Sequence, residues 1–152
     1  MGIFDLFKKK PTVESYMKTA EEKFQNGQYQ SAFDEIQKAI DIDPNNGVLY
    51  YNRGTMKNRL RNYKEGMIDL EKSIKLKTGQ LKKNGQTLHL NLANAHFNLA
   101  VSKFHTKDNK GALKEAKKSE NLGFDNRKLD DLYHYIEEVD ELGYEEAMER
   151  YN

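Results

Sequence analysis

Shifted against itself by 34 residues, the sequence brings like onto like through its first half. Tyr16 falls on Tyr50, Ala20 on Gly54, Tyr29 on Tyr63, Ala32 on Gly66, Phe33 on Met67, Ile36 on Leu70, Ala39 on Ser73 and Ile40 on Ile74. Small residues meet small ones, and apolar residues meet apolar ones. A further shift of 46 carries Asn52 onto Asn98, Gly54 onto Ala100, Gly66 onto Ala112, Met67 onto Leu113 and Ser73 onto Ser119. The 12 extra residues fit within TGQLKKNGQTLH, residues 78–89. A repeat of this length constrains the fold strongly. One unit cannot bury its apolar face alone, so units must stack into a quasi-one-dimensional array.

Each unit reads as two helices. Pro44 lacks an N–H and disfavours helix at the residue before it, so a helix ends at Asp41-Ile42-Asp43. Asn45, Asn46 and Gly47 supply the turn, and a new helix follows at once. Gly54, Gly66, Ala100 and Ala112 stand where helices must approach closely. The pattern predicts helices near 12–26, 29–42, 47–60, 63–77, 86–106, 109–121, 127–141 and 143–151.

The unit resembles the tetratricopeptide repeat, most clearly in AEEKFQNGQYQSAFDEIQKAIDIDPNN, residues 20–46. Gly27 and Tyr29 mark the turn inside the repeat, Ala32 and Ala39 the small positions of its second helix, and Pro44 the exit. Departures are the absence of Trp, Thr78 and Phe124 at exit-Pro positions, and Asn109 at the turn Tyr. The resemblance implies an all-α, right-handed α-solenoid of about three repeats with C-terminal capping helices. The units are placed at 13–46, 47–80 and 93–126, with a degenerate unit at 127–152 and a separate N-terminal peptide at 1–11. Residues 12–152 form one repeat domain in this reading.

The resemblance also implies a scaffold or adaptor that holds a peptide or helix in a concave groove lined by the first helix of each repeat. By matching position, the groove residues are Met17, Glu21, Tyr51, Asn52, Thr55, Arg59, Asn94, Phe97, Asn98, Val101 and His105. Asn suits such a surface because its amide both donates to and accepts from a peptide backbone. One subgroup of the family grips a C-terminal carboxylate of chaperone tails with two Lys, an Arg and two Asn. Here only Asn52 agrees. Met17, Glu21, Asn94 and Asn98 stand where Lys, Asn, Lys and Arg are needed, which argues against that specificity.

No residue pattern in the sequence points to catalysis or metal binding. With no Cys in the chain, no disulfide, thiolate zinc site or thiol nucleophile exists. His89 and His96 lie seven apart, whereas metal-binding His on a helix usually lie four apart beside a carboxylate. The acidic pairs Glu137-Glu138 and Glu145-Glu146 read as solvated helix faces. These observations predict a non-enzymatic protein with no metal and no cofactor.

A net charge of +1 gives no global field toward nucleic acid. The chain also lacks an aromatic-interleaved basic stripe of the kind that binds single strands, so nucleic acid is not an expected partner. No apolar run is long enough to span a bilayer, and no secretory signal is present; the expected compartment is the cytoplasm. Charge is nonetheless uneven. Residues 53–83 hold ten Lys or Arg against three Asp or Glu, and residues 127–152 hold three against nine. The opposed segments, at +7 and −6, suggest self-assembly as an alternative function. At the N-terminus, Ile3, Phe4, Leu6 and Phe7 would share one face if the segment were helical, and they precede Lys8–Lys10. This peptide reads as disordered, as docking on an apolar groove of this or another copy, or as a weak membrane contact of a peripheral accessory protein. Gly2 is suited to myristoylation, but Leu6 stands where that signal needs Ser or Thr.

Overall fold

The computed structural model describes residues 10–80 and 85–149. Residues 1–9 of the N-terminal peptide therefore lie outside the described residues. Among the described residues are eight α-helices and no strand: α1 (Val13–Gln25), α2 (Tyr29–Ile42), α3 (Gly47–Arg59), α4 (Tyr63–Gln80), α5 (Gly85–His105), α6 (Asn109–Asn121), α7 (Asn126–Leu142) and α8 (Tyr144–Glu149).

Local chemistry sets the helix starts. Thr12 caps α1 in a capping box with Ser15, and the side chains of Asn46, Asp108 and Asp125 accept backbone N–H bonds at the starts of α3, α6 and α7. The Tyr50 hydroxyl donates to the Pro44 carbonyl at 3.1 Å, so the aromatic pair after the proline ties the inter-repeat turn to the helix that follows it. The turn inside each repeat uses a left-handed residue at the same register: Gly27 (φ 75°), Arg61 (φ 61°) and Lys107 (φ 68°). Glycine adopts this conformation freely; the two basic residues do so at a cost.

The elements differ from the sequence-based bounds in one informative place. α4 continues to Gln80 and α5 begins at Gly85, so residues 78–80 of the insert extend α4 and residues 85–89 belong to α5. The insert holds no proline, and its Leu, Lys and Gln favour helix.

The helices pack as pairs α1–α2, α3–α4 and α5–α6, and each pair stacks on the next. α3, α5 and α7 stand side by side along one face. α3 and α4 touch almost backbone to backbone: a Cβ on Gly54 would lie 2.9 Å from Leu70 Cγ and 3.0 Å from the Gly66 carbonyl oxygen. One apolar cluster surrounds Ala20, Phe24, Ile36, Leu49 and Tyr50, and another surrounds Ala100, Phe104, Ala116, Leu129 and Ile136. α7 and the short α8 close the second cluster, with Ala147 buried and Tyr135 half-buried against it. No described helix is long and apolar enough to cross a membrane.

Candidate functional site

A cleft of about 380 Å³ runs along the face built from α3, α5 and α7. Tyr51, Thr55, Asn58 and Arg59 line it from α3, Asn94, Phe97, Asn98 and Val101 from α5, and Lys128 from α7; Tyr63 and Phe124 complete it. The residues follow from the helical period. Tyr51, Thr55 and Asn58 recur at steps of four and three on one face of α3, and Asn94, Asn98 and Val101 do the same on α5.

Of the groove residues read from the repeat, Tyr51, Thr55, Arg59, Asn94, Phe97, Asn98 and Val101 come together here. The other four stand apart from this cleft. Asn52 turns its amide toward the Met17 sulfur at 3.9 Å, and Glu21 is exposed and accepts a bond from Gln25. His105 stacks on Tyr63 with ring centroids 4.3 Å apart and lies beside a neighbouring cavity. Burial, reinforced by the Arg61 charge, pushes its imidazole below the ordinary value.

Two residues of the cleft wall owe their positions to the scaffold. The Asn98 amide donates to the Asn94 carbonyl at 2.9 Å and lies 3.5 Å from the Tyr51 hydroxyl. Phe97 stacks on Phe124 at 4.3 Å. Asn58 was not picked out by sequence. It is buried at the floor, donating to the Asn98 carbonyl at 3.1 Å and accepting from the Ser102 hydroxyl at 2.9 Å. These bonds join α3 to α5 and fix the width of the cleft. The signal for it was available: Asn58 occupies the position held by Phe24 and Phe104 in the other repeats.

Charge within the scaffold also repeats. The nearly buried carboxylates Glu35, Asp69 and Glu115 are separated by 34 and 46 residues, the repeat shifts themselves. Lys23 and Lys38 pair with Glu35 at 2.7 and 3.0 Å. Arg53 grips Asp69 through two bonds of 2.8 and 2.7 Å, and Lys57 adds a third of 2.8 Å. His96 Nδ1 lies 2.6 Å from Glu115, and Lys118 lies 2.9 Å from it. Burial would raise the Glu115 carboxyl, but the bonds from His96 and Lys118 outweigh it and hold the group at about 2. His96 is thus a scaffold residue, and its contact with Glu115 joins α5 to α6. Arg59 and Lys128, both exposed at the cleft, carry its positive charge toward solvent.

The tetratricopeptide repeat model matches residues 13–46 and 48–79. Two curated relatives are DnaJ homolog subfamily C member 7 proteins. The Schizosaccharomyces pombe homolog is 31% identical over 81 residues, and the Mus musculus protein is 30% identical over 104 residues. The matches take in 51% and 61% of this chain but only 17% and 21% of those relatives, so the chain spans a minor part of their length. Among solved structures, the first TPR domain of Spaghetti (RPAP3), bound to the HSP90 peptide SRMEEVD, is similar with a TM-score of 0.70. Its identity is 20%, and the match covers 84% of this chain and 92% of that domain. The chain thus carries two tetratricopeptide repeats recognised by sequence, at residues 13–46 and 48–79, set in an all-α array of the same architecture as that domain.

Proposed function

We propose that the chain is a non-enzymatic, cytoplasmic interaction scaffold that holds a peptide or helix of a protein partner in the cleft between α3, α5 and α7. The observation that carries this reading is the composition of the cleft. Its aromatic and aliphatic walls, Tyr51, Phe97, Val101 and Phe124, suit an apolar anchor, and its asparagines suit a peptide backbone. Arg59 and Lys128 add a preference for a carboxylate on the partner.

The similarity to a domain solved with an HSP90 peptide supports peptide binding as a use of this architecture. The residues favour a different peptide. Met17 and Glu21 occupy positions where a carboxylate-gripping groove needs Lys and Asn, and the exposed Glu21 would repel an acidic terminus. The partner that fits is one with an apolar side chain between short backbone hydrogen bonds, with a single acidic residue placed toward Lys128.

Peptide display on the full chain, followed by calorimetry of the selected peptide, tests the reading. Thr55 is half-exposed on the cleft wall, so Thr55→Arg blocks the cleft without entering the core. The variant loses at least tenfold in affinity (about 1.4 kcal/mol) while its melting temperature holds. Unchanged affinity in Thr55→Arg refutes the assignment.

A further inference from the structure

A second cavity of about 340 Å³ adjoins the cleft and shares Phe97, Val101 and Lys128 with it, but extends beyond it toward α8. It opens between α5, α7 and α8 and is walled mainly by Phe97, Val101, Phe104, Leu132, Tyr135 and Met148. Its volume is in the range of ligand pockets, about 300–1,000 Å³. Lys128 and His105 also border it, but the helices α7 and α8 that flank it are acidic as a whole. Asp131 lines it, Glu149 follows Met148 on α8, and residues 127–152 carry a net charge of −6. An occupant should therefore pair a short apolar stretch with adjoining positive charge.

The sequence contains one such stretch. Ile3, Phe4, Leu6 and Phe7 lie within five residues, and Lys8, Lys9 and Lys10 follow directly. Reach decides whether the stretch serves its own cavity or another's. It joins the array at Thr12, ahead of α1. The row of first helices runs α1, α3, α5, so α5 lies two interhelix steps away, about 16–20 Å at about 8–10 Å each. Residues 8–12 span at most about 3.6 Å apiece, or about 18 Å fully extended. Phe7 would reach its own α5 only with the lysines drawn taut across the cleft, away from α7 and α8. A neighbouring molecule has no such restriction.

We infer that the cavity between α5, α7 and α8 receives the N-terminal segment of a second copy of this chain, with Ile3–Phe7 against the apolar wall and Lys8–Lys10 against the acidic helices. Donor and receiver lie at opposite ends of the array. The contact is therefore heterologous, and it adds copies head to tail. Its charge component is screened over about 8 Å at physiological salt, so association weakens as salt rises.

Sedimentation velocity on the full chain and a labelled peptide test this together. The wild-type sedimentation coefficient rises with concentration and falls with salt, and Phe4→Ser/Phe7→Ser leaves a monomer. Fluorescein-labelled MGIFDLFKKKP then binds the monomeric double variant saturably. Adding Met148→Lys, or Asp131→Lys at an exposed position, weakens that binding by about tenfold or more. Three results overturn the inference. Association that survives Phe4→Ser/Phe7→Ser belongs to another surface. A monomeric wild type that excludes the peptide while the double variant captures it has its own segment in the cavity. A peptide that ignores the protein but partitions onto vesicles of anionic phospholipid belongs to a membrane.

Discussion

Replacing Gly66 with alanine adds one methyl group at the tightest point of the array. The new Cβ would collide with the Asn58 side-chain oxygen, and it would lie 3.1 Å from the Gly54 carbonyl oxygen and 3.3 Å from Asn58 Cγ. Backbone cannot yield there without separating α3 from α4, so Asn58 must turn away. Turning costs its bonds to the Asn98 carbonyl and the Ser102 hydroxyl, both at buried positions. A buried polar group left unpaired costs about 1–3 kcal/mol, while the change from Gly to Ala returns about 1 kcal/mol of helix propensity. The net loss is up to about 2 kcal/mol, and a chain of this size loses roughly 4 °C of melting temperature per kcal/mol. Thermal unfolding followed by circular dichroism should place Gly66→Ala up to about 8 °C below wild type. Coupling makes the test specific. If the clash is with Asn58, the Asn58→Ala/Gly66→Ala pair falls short of additive by about 1 kcal/mol or more. A Gly66→Ala variant that melts at or above wild type refutes the close-approach argument, and strict additivity refutes the role given to Asn58.

Other outcomes follow from the same geometry. Glu115 titrates near 2 in the folded chain against 4.5 for the ordinary group, so its contribution is full above pH 4.5 and drains away as pH falls toward 2. Urea unfolding at a series of acidic pH values should lose about 3 kcal/mol over that window, and Glu115→Gln should flatten the dependence; an equally steep variant contradicts the pairing with His96 and Lys118. Asp69→Asn leaves Arg53 and Lys57 without their shared carboxylate and should destabilise by about 1–3 kcal/mol in chemical denaturation, whereas an unchanged midpoint would show the pair to be dispensable. Arg61→Gly relieves a left-handed backbone position and should raise stability by about 1 kcal/mol; a lower melting temperature would count against strain at that turn.

The register of small and apolar residues made the helical array legible because Gly54, Gly66, Ala100 and Ala112 must sit where helices touch. The cleft was legible in part, since Tyr51, Thr55, Asn94, Asn98 and Val101 inherit their direction from that register. Other features depend on contacts between helices that the repeat pattern does not contain. Glu35, Asp69 and Glu115 obey the same shifts as the small residues, but a repeated carboxylate shows no sign of burial until the cations packed against it are known. Asn58 broke the aromatic pattern of Phe24 and Phe104, yet its role depends on Gly66 lying directly opposite, a relation between two helices that no single-helix period contains. Glu21 and Asn52 hold the expected repeat positions but stand outside the cleft. The open face of the array is formed by α3, α5 and α7, and α1 stands at its edge.

The central claim is that a partner lies along α3, α5 and α7. Chemical-shift mapping of the full chain with a display-selected peptide addresses it residue by residue. The account predicts that the largest shifts fall on Tyr51, Thr55, Asn94, Phe97, Asn98 and Val101, with α2 and α6 unmoved. Shifts concentrated on α2, α4 or α6, with those cleft residues silent, would contradict it.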